Sequence, residues 1–268
     1  MDTNRAKGAR TRMTYERDDT IFTPDLSVER AVQDEPAPTA APVSIVSYNI
    51  HLAIGRDRRY EPQRILDVLQ EIDADVIGLQ EVQLGAGGFD MLHFLAEGLG
   101  FEAAPGPTLA HPKRGAYGNA VLSRHPIRAV RPIDLSVHRR EPRGALDIEL
   151  ACPGRSLRVI ATHLGLLPAE RRTQIKSLLR AFEEDEAMTT VLIGDLNEWF
   201  LWGRPLRWLH AYFKETPSPR TFPSGRPLFA LDRIWVRPRA LLRDVRAHNS
   251  PLSRVASDHL PLVGVVSP

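Results

Sequence analysis

The residues best suited to chemistry lie where predicted strands end or begin. The apolar run VLIG leads directly into Asp195, and one leucine separates this aspartate from Asn197. Because the strand ends of α/β sheets form the crevice in which ligands bind, we expect the polar residues at such positions to line one pocket. The full set is Asn49, Glu81, His163, Asp195, Asn197, Asp232, Asp258 and His259.

Four of these residues are carboxylates, and their proximity predicts a bound cation. Each negative charge raises the pKa of its neighbours in a medium of low dielectric constant, so a divalent metal is needed to keep all of them ionised. Oxygen ligands suit Mg²⁺ or Mn²⁺, whereas Zn²⁺ prefers His and Cys. Mg²⁺ is commonly held by one or two carboxylates together with substrate phosphates. The residue types therefore predict Mg²⁺, which Mn²⁺ can replace, and a phosphate ester as substrate.

The sequence GDLN at 194–197 predicts a local geometry. In an extended segment Asp195 and Asn197 share one face while Leu196 points the other way into apolar packing, because side chains alternate along a strand. Gly194 leaves room for a close approach to the backbone.

Length and composition indicate one large soluble domain. The chain has 268 residues, of which 43% are hydrophobic, and a net charge of +2. It has no apolar run near the 18 residues of a membrane span. Cys152 is the single cysteine and cannot form a disulfide within the chain. We expect a monomeric, cytoplasmic protein without a transmembrane segment.

The chain divides into two predicted regions. Residues 1–42 are polar, charged and rich in Pro and Ala near their end, which predicts a flexible N-terminal extension or, alternatively, a start codon placed upstream of the true one. From Val43 onward the apolar pattern alternates between strand and helix and defines a domain at 43–268. Strands are predicted at 43–50, 75–82, 119–123, 144–150, 156–163, 190–194, 231–236 and 260–266, and helices at 61–73, 89–99 and 168–184. This order indicates a layered α/β fold with mixed sheets.

Seven short motifs follow one another in an order that resembles the endonuclease/exonuclease/phosphatase superfamily. They are SYN at 47–49, LQEV at 79–82, GNAVLSRHPI at 118–127, ATH at 161–163, GDLN at 194–197, LDRIWV at 231–236 and SDHLPL at 257–262. The resemblance covers residues 43–266. It implies a four-layer α/β sandwich, in which two mixed sheets face each other with helices outside, and Mg²⁺-dependent hydrolysis of phosphodiester or phosphomonoester bonds.

The resemblance also implies roles for the residues around the metal. Glu81 resembles the main metal ligand, with Asn49 and Asp258 completing the coordination shell. Asp195 resembles the group that orients or deprotonates the attacking water, and Asn197 resembles a donor to the phosphoryl oxygen.

A second group of residues resembles the phosphate-binding side of the family's site. His259 resembles the imidazole that contacts phosphate and transfers protons, oriented by Asp232. His163 resembles a second histidine that contacts phosphate. Arg143 falls where the family often has an arginine or tyrosine that reaches a phosphate.

Purely structural roles remain open for several residues. Asn49 is alternatively a turn residue at a strand end, Asp232 a plain cap and Arg143 an exposed strand residue. Asn119 is alternatively a junction between turn and strand. His51 either borders the metal or faces solvent, and we leave it out of the predicted ligand set.

The segment EWFLWGRPLRWLHAYF at 198–213 contains three of the four tryptophans and two arginines. It is interpreted either as an aromatic-rich helix packed on the sheet or as a wall that faces substrate. No extended basic arm for duplex DNA is present in the sequence. The sequence therefore slightly favours a small or lipid-linked phosphodiester as substrate, with nucleic acid as the alternative.

The residues favour a metal-dependent phosphoesterase that acts by in-line attack of an activated water. The alternatives are a nuclease of the same family that acts on DNA or RNA, and a noncatalytic domain of the same fold that binds phosphorylated ligands. Against the noncatalytic domain, every expected catalytic position is filled. A dinuclear metallophosphatase of the calcineurin type would need D-x-H near the start and GNH[ED] in the middle, and the sequence contains neither.

Overall fold

The computed structural model describes residues 40–85, 89–111, 115–182 and 188–267. Of the predicted extension at 1–42, residues 1–39 lie outside the described part of the chain. Cys152 is a buried free thiol. None of the helices in the described ranges is long and apolar enough to cross a membrane.

The described residues form eleven strands in two sheets. The strands are β1 (Val43–Asn49), β2 (Val76–Leu84), β3 (Glu102–His111), β4 (Gly115–Ser123), β5 (Ile127–Asp134), β6 (Gly144–Cys152), β7 (Arg155–His163), β8 (Thr189–Asp195), β9 (Asp232–Arg237), β10 (Leu242–Ala247) and β11 (Leu262–Val266). The six-stranded sheet has the order β10-β11-β1-β2-β4-β3, and the five-stranded sheet has the order β5-β6-β7-β8-β9. β1 pairs with β2 and β7 with β8 in parallel. The other pairs are antiparallel, which confirms the predicted mixed sheets.

The helices are α1 (Pro62–Ile72), α2 (Met91–Leu99), α3 (Pro168–Phe182), α4 (Arg204–Phe213) and the short α5 (Ser253–Ala256). α1 shows why the predicted helices form. Pro62 stands at its first turn, where the missing N–H has no helical partner to lose. Ile65 and Leu69 lie one turn apart on its buried face. Asp73 ends it in the left-handed conformation, with φ 50°.

Both sheets are buried on both faces, which produces four layers. Ile45 of β1 packs in the core between the sheets, whereas the next residue, Val46, packs under α1 and α2. In β7, Val159 faces the core between the sheets, and Ile160 faces α3 and α4. Neighbouring side chains of a strand point to opposite faces, so this alternation confirms the predicted four-layer sandwich.

Three strands that the sequence pattern missed are β3, β5 and β10. All three lie at sheet edges, where one side of the strand has no neighbour and polar residues are tolerated. β3 contains Pro105 and Pro107, and β5 contains Pro132. Proline cannot donate to a β-ladder, so it weakens a strand signal in the sequence but is accepted at an edge.

Candidate active site

The polar residues at the strand ends meet at one end of the two sheets. Asn49 ends β1 of the six-stranded sheet, and Asp195 ends β8 of the five-stranded sheet. The Asn49 Nδ2 donates to the Asp195 Oδ2 at 3.1 Å and so joins the two sheets. In the register of the five-stranded sheet, Asp195 lies opposite both His163 and Asp232.

Asp195 is the centre of this cluster. Its side chain is buried, and its Oδ2 lies 3.6 Å from a ring nitrogen of both His163 and His259. Its Oδ1 accepts a hydrogen bond of 2.9 Å from the backbone N–H of Asn197. Both carboxylate oxygens therefore face donor groups, which fix the orientation of this side chain.

Asn197 reaches the site by a turn and not by the alternation of an extended strand, so the predicted geometry of GDLN is wrong. β8 ends at Asp195, and Asn197 has a left-handed backbone with φ 51°. The hydrogen bond from its N–H to the Asp195 side chain closes this turn, a conformation that asparagine tolerates well. Leu196 does point away into the core beside α3 and α4, as predicted.

Gly194 allows β7 to lie against the end of β8. A Cβ at this position would be 2.0 Å from the Thr162 carbonyl oxygen, and the backbone has φ 152°. We expect Gly194→Ala to lower the free energy of unfolding by about 3 kcal/mol, the upper end of what overpacking usually costs. Urea denaturation measures this change.

Gly100→Ala is the matched control for that substitution. Gly100 also has a positive φ, 69°, but a Cβ at this position would have no atom within 4 Å. Only backbone strain remains there, which costs about 1 kcal/mol. Equal destabilisation by the two substitutions would show that the contact with Thr162 is unimportant.

His259 lies between two carboxylates. Its Nδ1 is 2.8 Å from the Asp232 Oδ2, and its Nε2 faces Asp195. Burial alone would lower the pKa of His259, but the charges of Asp232 and Asp195 outweigh it and raise the pKa to about 10. The ring is therefore an imidazolium at neutral pH. Because Asp232 is buried and bonded to this ring, the alternative of a plain cap is wrong.

His163 has the opposite protonation state. Burial lowers its pKa to about 4, with the charge of Arg143 adding to the effect and that of Asp195 opposing it. The Arg143 guanidinium donates to the His163 Nδ1 at 3.1 Å. On the other side of the ring, the Asn197 Nδ2 lies 3.0 Å from the His163 Nε2, which also faces Asp195. Arg143 is only 7% exposed, so its alternative as an exposed strand residue is wrong.

A β-bulge directs Glu81 into the site. The pairing of β2 with β4 shifts register between Leu79 and Val82, and Glu81 between them has φ 59°. A bulge re-aims a side chain that regular pairing would place elsewhere. The Glu81 Oε1 accepts from the Asn49 Nδ2 at 3.1 Å. Burial raises the pKa of Glu81, and the charges of Asp195 and Asp258 add to this shift.

Asn49 and Asp258 complete the oxygen-rich side of the cluster. Asn49 is buried, and its Oδ1 accepts from the His51 backbone N–H. Its side chain contacts both sheets, which a simple turn residue would not do. Asp258 is half-buried, and its Oδ1 lies 3.8 Å from the His51 Nδ1. His51 therefore borders the predicted metal ligands.

Two different groups in this cluster have the residue types for a cation. Asp195, Asp232 and His259 each offer a ligand atom within 4.8 Å of the others. Both ring nitrogens of His259 already face carboxylates, so this group is suited to holding a proton. Glu81, Asn49 and Asp258 instead supply carboxylate and amide oxygens, the donor set that Mg²⁺ and Mn²⁺ prefer.

Three residues near the site were missed in the sequence. The Tyr117 side chain bonds to Glu81, and its burial raises the pKa of the phenol. The Thr221 hydroxyl donates to Asp232. The Ser257 hydroxyl donates to the Asn49 carbonyl oxygen at 2.7 Å. Ser257 lies within the motif SDHLPL, but the motif gave no role to this residue, and no local pattern marks Thr221.

Asn119 supports the site from the six-stranded sheet. It is buried within β4, and its Nδ2 donates to the carbonyl oxygen of Gly144 at the start of β6. This bond joins the two sheets next to Arg143. The alternative of a junction between turn and strand is therefore wrong.

Comparison with known proteins identifies relatives of this fold. The family model described as "Endonuclease/Exonuclease/phosphatase family" matches residues 46–259. The uncharacterized protein YbhP of Escherichia coli (strain K12) is 34% identical over 239 residues, which cover 81% of this chain and 93% of YbhP. The human Nocturnin catalytic domain with bound sulfate superposes with a TM-score of 0.66 at 20% identity, covering 84% of this chain and 93% of that domain's chain. A mannosyl-6-phosphatase of Bacteroides thetaiotaomicron gives 0.66 at 17% identity, covering 84% and 99%. These two structures establish the shared fold.

Proposed function

The chain belongs to the endonuclease/exonuclease/phosphatase family, and from that premise we propose that it is a divalent-metal-dependent phosphoesterase. Its reaction is the hydrolysis of phosphodiester bonds by in-line attack of a water molecule. The family includes both nucleases and phosphatases, so membership alone leaves the substrate open.

The arrangement around Asp195 is the observation that carries this proposal. Its carboxylate faces the neutral ring of His163 and the imidazolium of His259, and it accepts from Asn49. A carboxylate held in this way is fixed in orientation. It is therefore suited to accept a proton from, and to orient, an attacking water.

The proposed metal ligands are Glu81, Asn49 and Asp258, with Mg²⁺ as the ion and Mn²⁺ as its substitute. Burial and the negative charges of Asp195 and Asp258 raise the pKa of Glu81. A bound cation offsets this repulsion, so the donor set fits a divalent metal. When bound, the ion supplies positive charge that stabilises the additional negative charge of the phosphorane transition state.

The remaining residues supply donors to the phosphoryl oxygens. His259 carries a proton that it can donate to an oxygen, and Asp232 orients its ring. Arg143 and Asn197 contact the two ring nitrogens of His163, so these three side chains lie together beside Asp195. Donors fixed before the reaction lower the barrier selectively when they face the site where charge develops.

Hydrolysis of bis-p-nitrophenyl phosphate tests the proposal directly. We expect the purified protein to release p-nitrophenolate in the presence of Mg²⁺ or Mn²⁺, and to lose this activity in EDTA. A noncatalytic phosphate-binding domain would show no turnover with either ion. Such a result, obtained with folded protein across a range of metal concentrations, would reject the proposed function.

Glu81→Gln is expected to weaken the use of metal. The substitution removes the negative charge and keeps the shape, so the apparent affinity for Mg²⁺ should fall by about 10- to 100-fold, with partial recovery of turnover at high metal concentration. A titration of activity against Mg²⁺ measures this change. Glu97→Gln is the matched control, since Glu97 lies exposed on α2. Identical titration curves for Glu81→Gln and the unaltered protein would remove Glu81 from the metal site.

A further inference from the structure

An exposed apolar surface lies beside the candidate active site. We call it the aromatic patch, and it consists of Trp199, Phe200, Leu201, Trp202, Leu228 and Phe229. Trp202 is the most exposed of these side chains, at 74%. The rings of Trp199 and Phe229 are 4.9 Å apart, and those of Phe200 and Trp202 are 6.1 Å apart. Most of these residues also line one groove of about 210 Å³ together with Arg220.

A buried ion pair holds the loop that carries residues 199–202 of the patch. The Arg171 side chain of α3 contacts both carboxylate oxygens of Glu198, at 3.3 and 3.4 Å, and both residues are buried. The same carboxylate accepts from the backbone N–H of Phe200. The Gly203 N–H then donates to the Phe200 carbonyl oxygen and closes a turn. This construction holds the side chains at 199–202 at the surface.

The aromatic patch is connected to the site by a continuous row of rings. Trp199 contacts Phe222 with ring centroids 5.8 Å apart. Phe222 in turn contacts the ring of His259, at 4.8 Å. Phe222 is therefore the one ring between Trp199 of the patch and the His259 imidazolium, to which we assign phosphate binding. A surface that covers the patch lies close to that imidazolium.

The charges around the patch are positive. Arg204 follows the loop at the start of α4, Arg220 lines the groove, and Arg226 lies in the turn before Leu228. Within the described ranges, no ion pair joins any of these three arginines to a carboxylate. Glu198, which lines the same groove, is paired with Arg171. Apolar rings with cations at their margin complement a surface that is apolar inside and anionic outside.

We propose that the aromatic patch docks on an anionic lipid membrane and brings the active site to the phosphodiester of a lipid headgroup. Tryptophan and phenylalanine insert at the boundary between headgroups and acyl chains, while arginines remain at the phosphates. Leu201 and Leu228 favour this occupant over single-stranded nucleic acid, because aliphatic side chains offer no ring on which a base can stack. Membrane docking stands on the patch alone, whereas hydrolysis of the lipid rests on the proposed function.

Sedimentation with lipid vesicles tests the docking step without any catalysis. We expect the protein to bind vesicles of phosphatidylcholine mixed with phosphatidylglycerol, and the double variant Phe200→Ser with Trp202→Ser to bind at least about tenfold more weakly. Both side chains are exposed, so the fold should persist, and circular dichroism checks this. Val130→Ser is the matched control, because Val130 is 44% exposed on β5, at the opposite edge of the five-stranded sheet.

The arginines provide a second, independent variant. Arg220→Glu with Arg226→Glu should abolish the preference for phosphatidylglycerol over phosphatidylcholine alone, whereas Arg128→Glu on β5 should not. Equal vesicle binding by all variants, or no binding by the unaltered protein, would overturn the proposal. Binding to a single-stranded oligonucleotide that the patch substitutions abolish, without vesicle binding, would overturn it in favour of nucleic acid.

Comparison of two substrates separates this inference from the proposed function. The patch variants should lose hydrolysis of a phosphodiester lipid in vesicles but keep that of soluble bis-p-nitrophenyl phosphate. If neither substrate is cleaved while vesicles are bound, the proposed function fails and the docking surface stands. If the soluble diester is cleaved but vesicles are neither bound nor cleaved, the docking proposal fails alone.

Discussion

Asp195→Asn is expected to lower kcat for bis-p-nitrophenyl phosphate by at least about 10²-fold, the scale of losing a general base. An amide cannot accept the proton of water at neutral pH. It also fits the site poorly, because one Asp195 oxygen faces His163, His259 and the amide of Asn49, while the other accepts from Asn197. Whichever way the amide is turned, its NH₂ group meets a donor.

Asp244→Asn is the control for this substitution. Asp244 is a half-exposed carboxylate on the edge strand β10 that pairs with Arg246, so its loss should leave kcat unchanged. Circular dichroism and thermal unfolding establish that the Asp195 variant is folded. Retention of full activity by folded Asp195→Asn would exclude Asp195 from the chemistry.

The grouping of the site residues was predictable because it follows from sheet geometry. Asn49, His163 and Asp195 each end a strand. Parallel pairing of β7 with β8 places His163 beside Asp195 at the same end of the five-stranded sheet, and Asn49 meets Asp195 from the facing sheet. Asp232 begins the antiparallel β9, so it reaches the same end of the five-stranded sheet although its strand runs in the opposite direction. The sequence therefore contains the location of the pocket once its strands are recognised.

The orientation of individual side chains toward the site was not predictable, because it depends on backbone conformations without a clear sequence signal. Glu81 points into the site through a bulge, and Asn197 through a left-handed turn. Both residues have a positive φ, which costs free energy outside glycine and is maintained by the surrounding contacts. The contact of Tyr117 with Glu81 depends on that bulge, so it too was missed.

The segment at 198–213 combines the two interpretations that its composition left open. α4 begins only at Arg204 and packs Leu206 and Leu209 against the five-stranded sheet. Residues 199–202 before it are exposed beside the site. Trp202 and Trp208 have the same residue type but different environments: Trp202 is on the surface, whereas Trp208 packs against the core and Lys176. Composition alone cannot separate such neighbours, because burial depends on where the helix starts.

His259→Ala is expected to lower kcat by at least about 10²-fold, since it removes both a proton donor and the positive charge next to Asp195. Asp232→Asn should have a smaller effect, because its remaining oxygen can still accept from the His259 Nδ1. Added imidazole should partly restore the activity of His259→Ala, which loss of folding alone would not allow. Hydrolysis of bis-p-nitrophenyl phosphate measures all three results.

The pH dependence of Asp232→Asn distinguishes orientation of the ring from simple structural support. Burial lowers the pKa of His259, and the charge of Asp232 is the main influence that raises it to about 10. The imidazolium is present below this pKa and is lost as pH rises through it. Removal of the Asp232 charge lowers the pKa, so the alkaline decline of kcat/KM should begin at a lower pH in Asp232→Asn than in the unaltered protein. An unshifted profile with full activity, beside an inactive His259→Ala, would show that Asp232 does not act through His259.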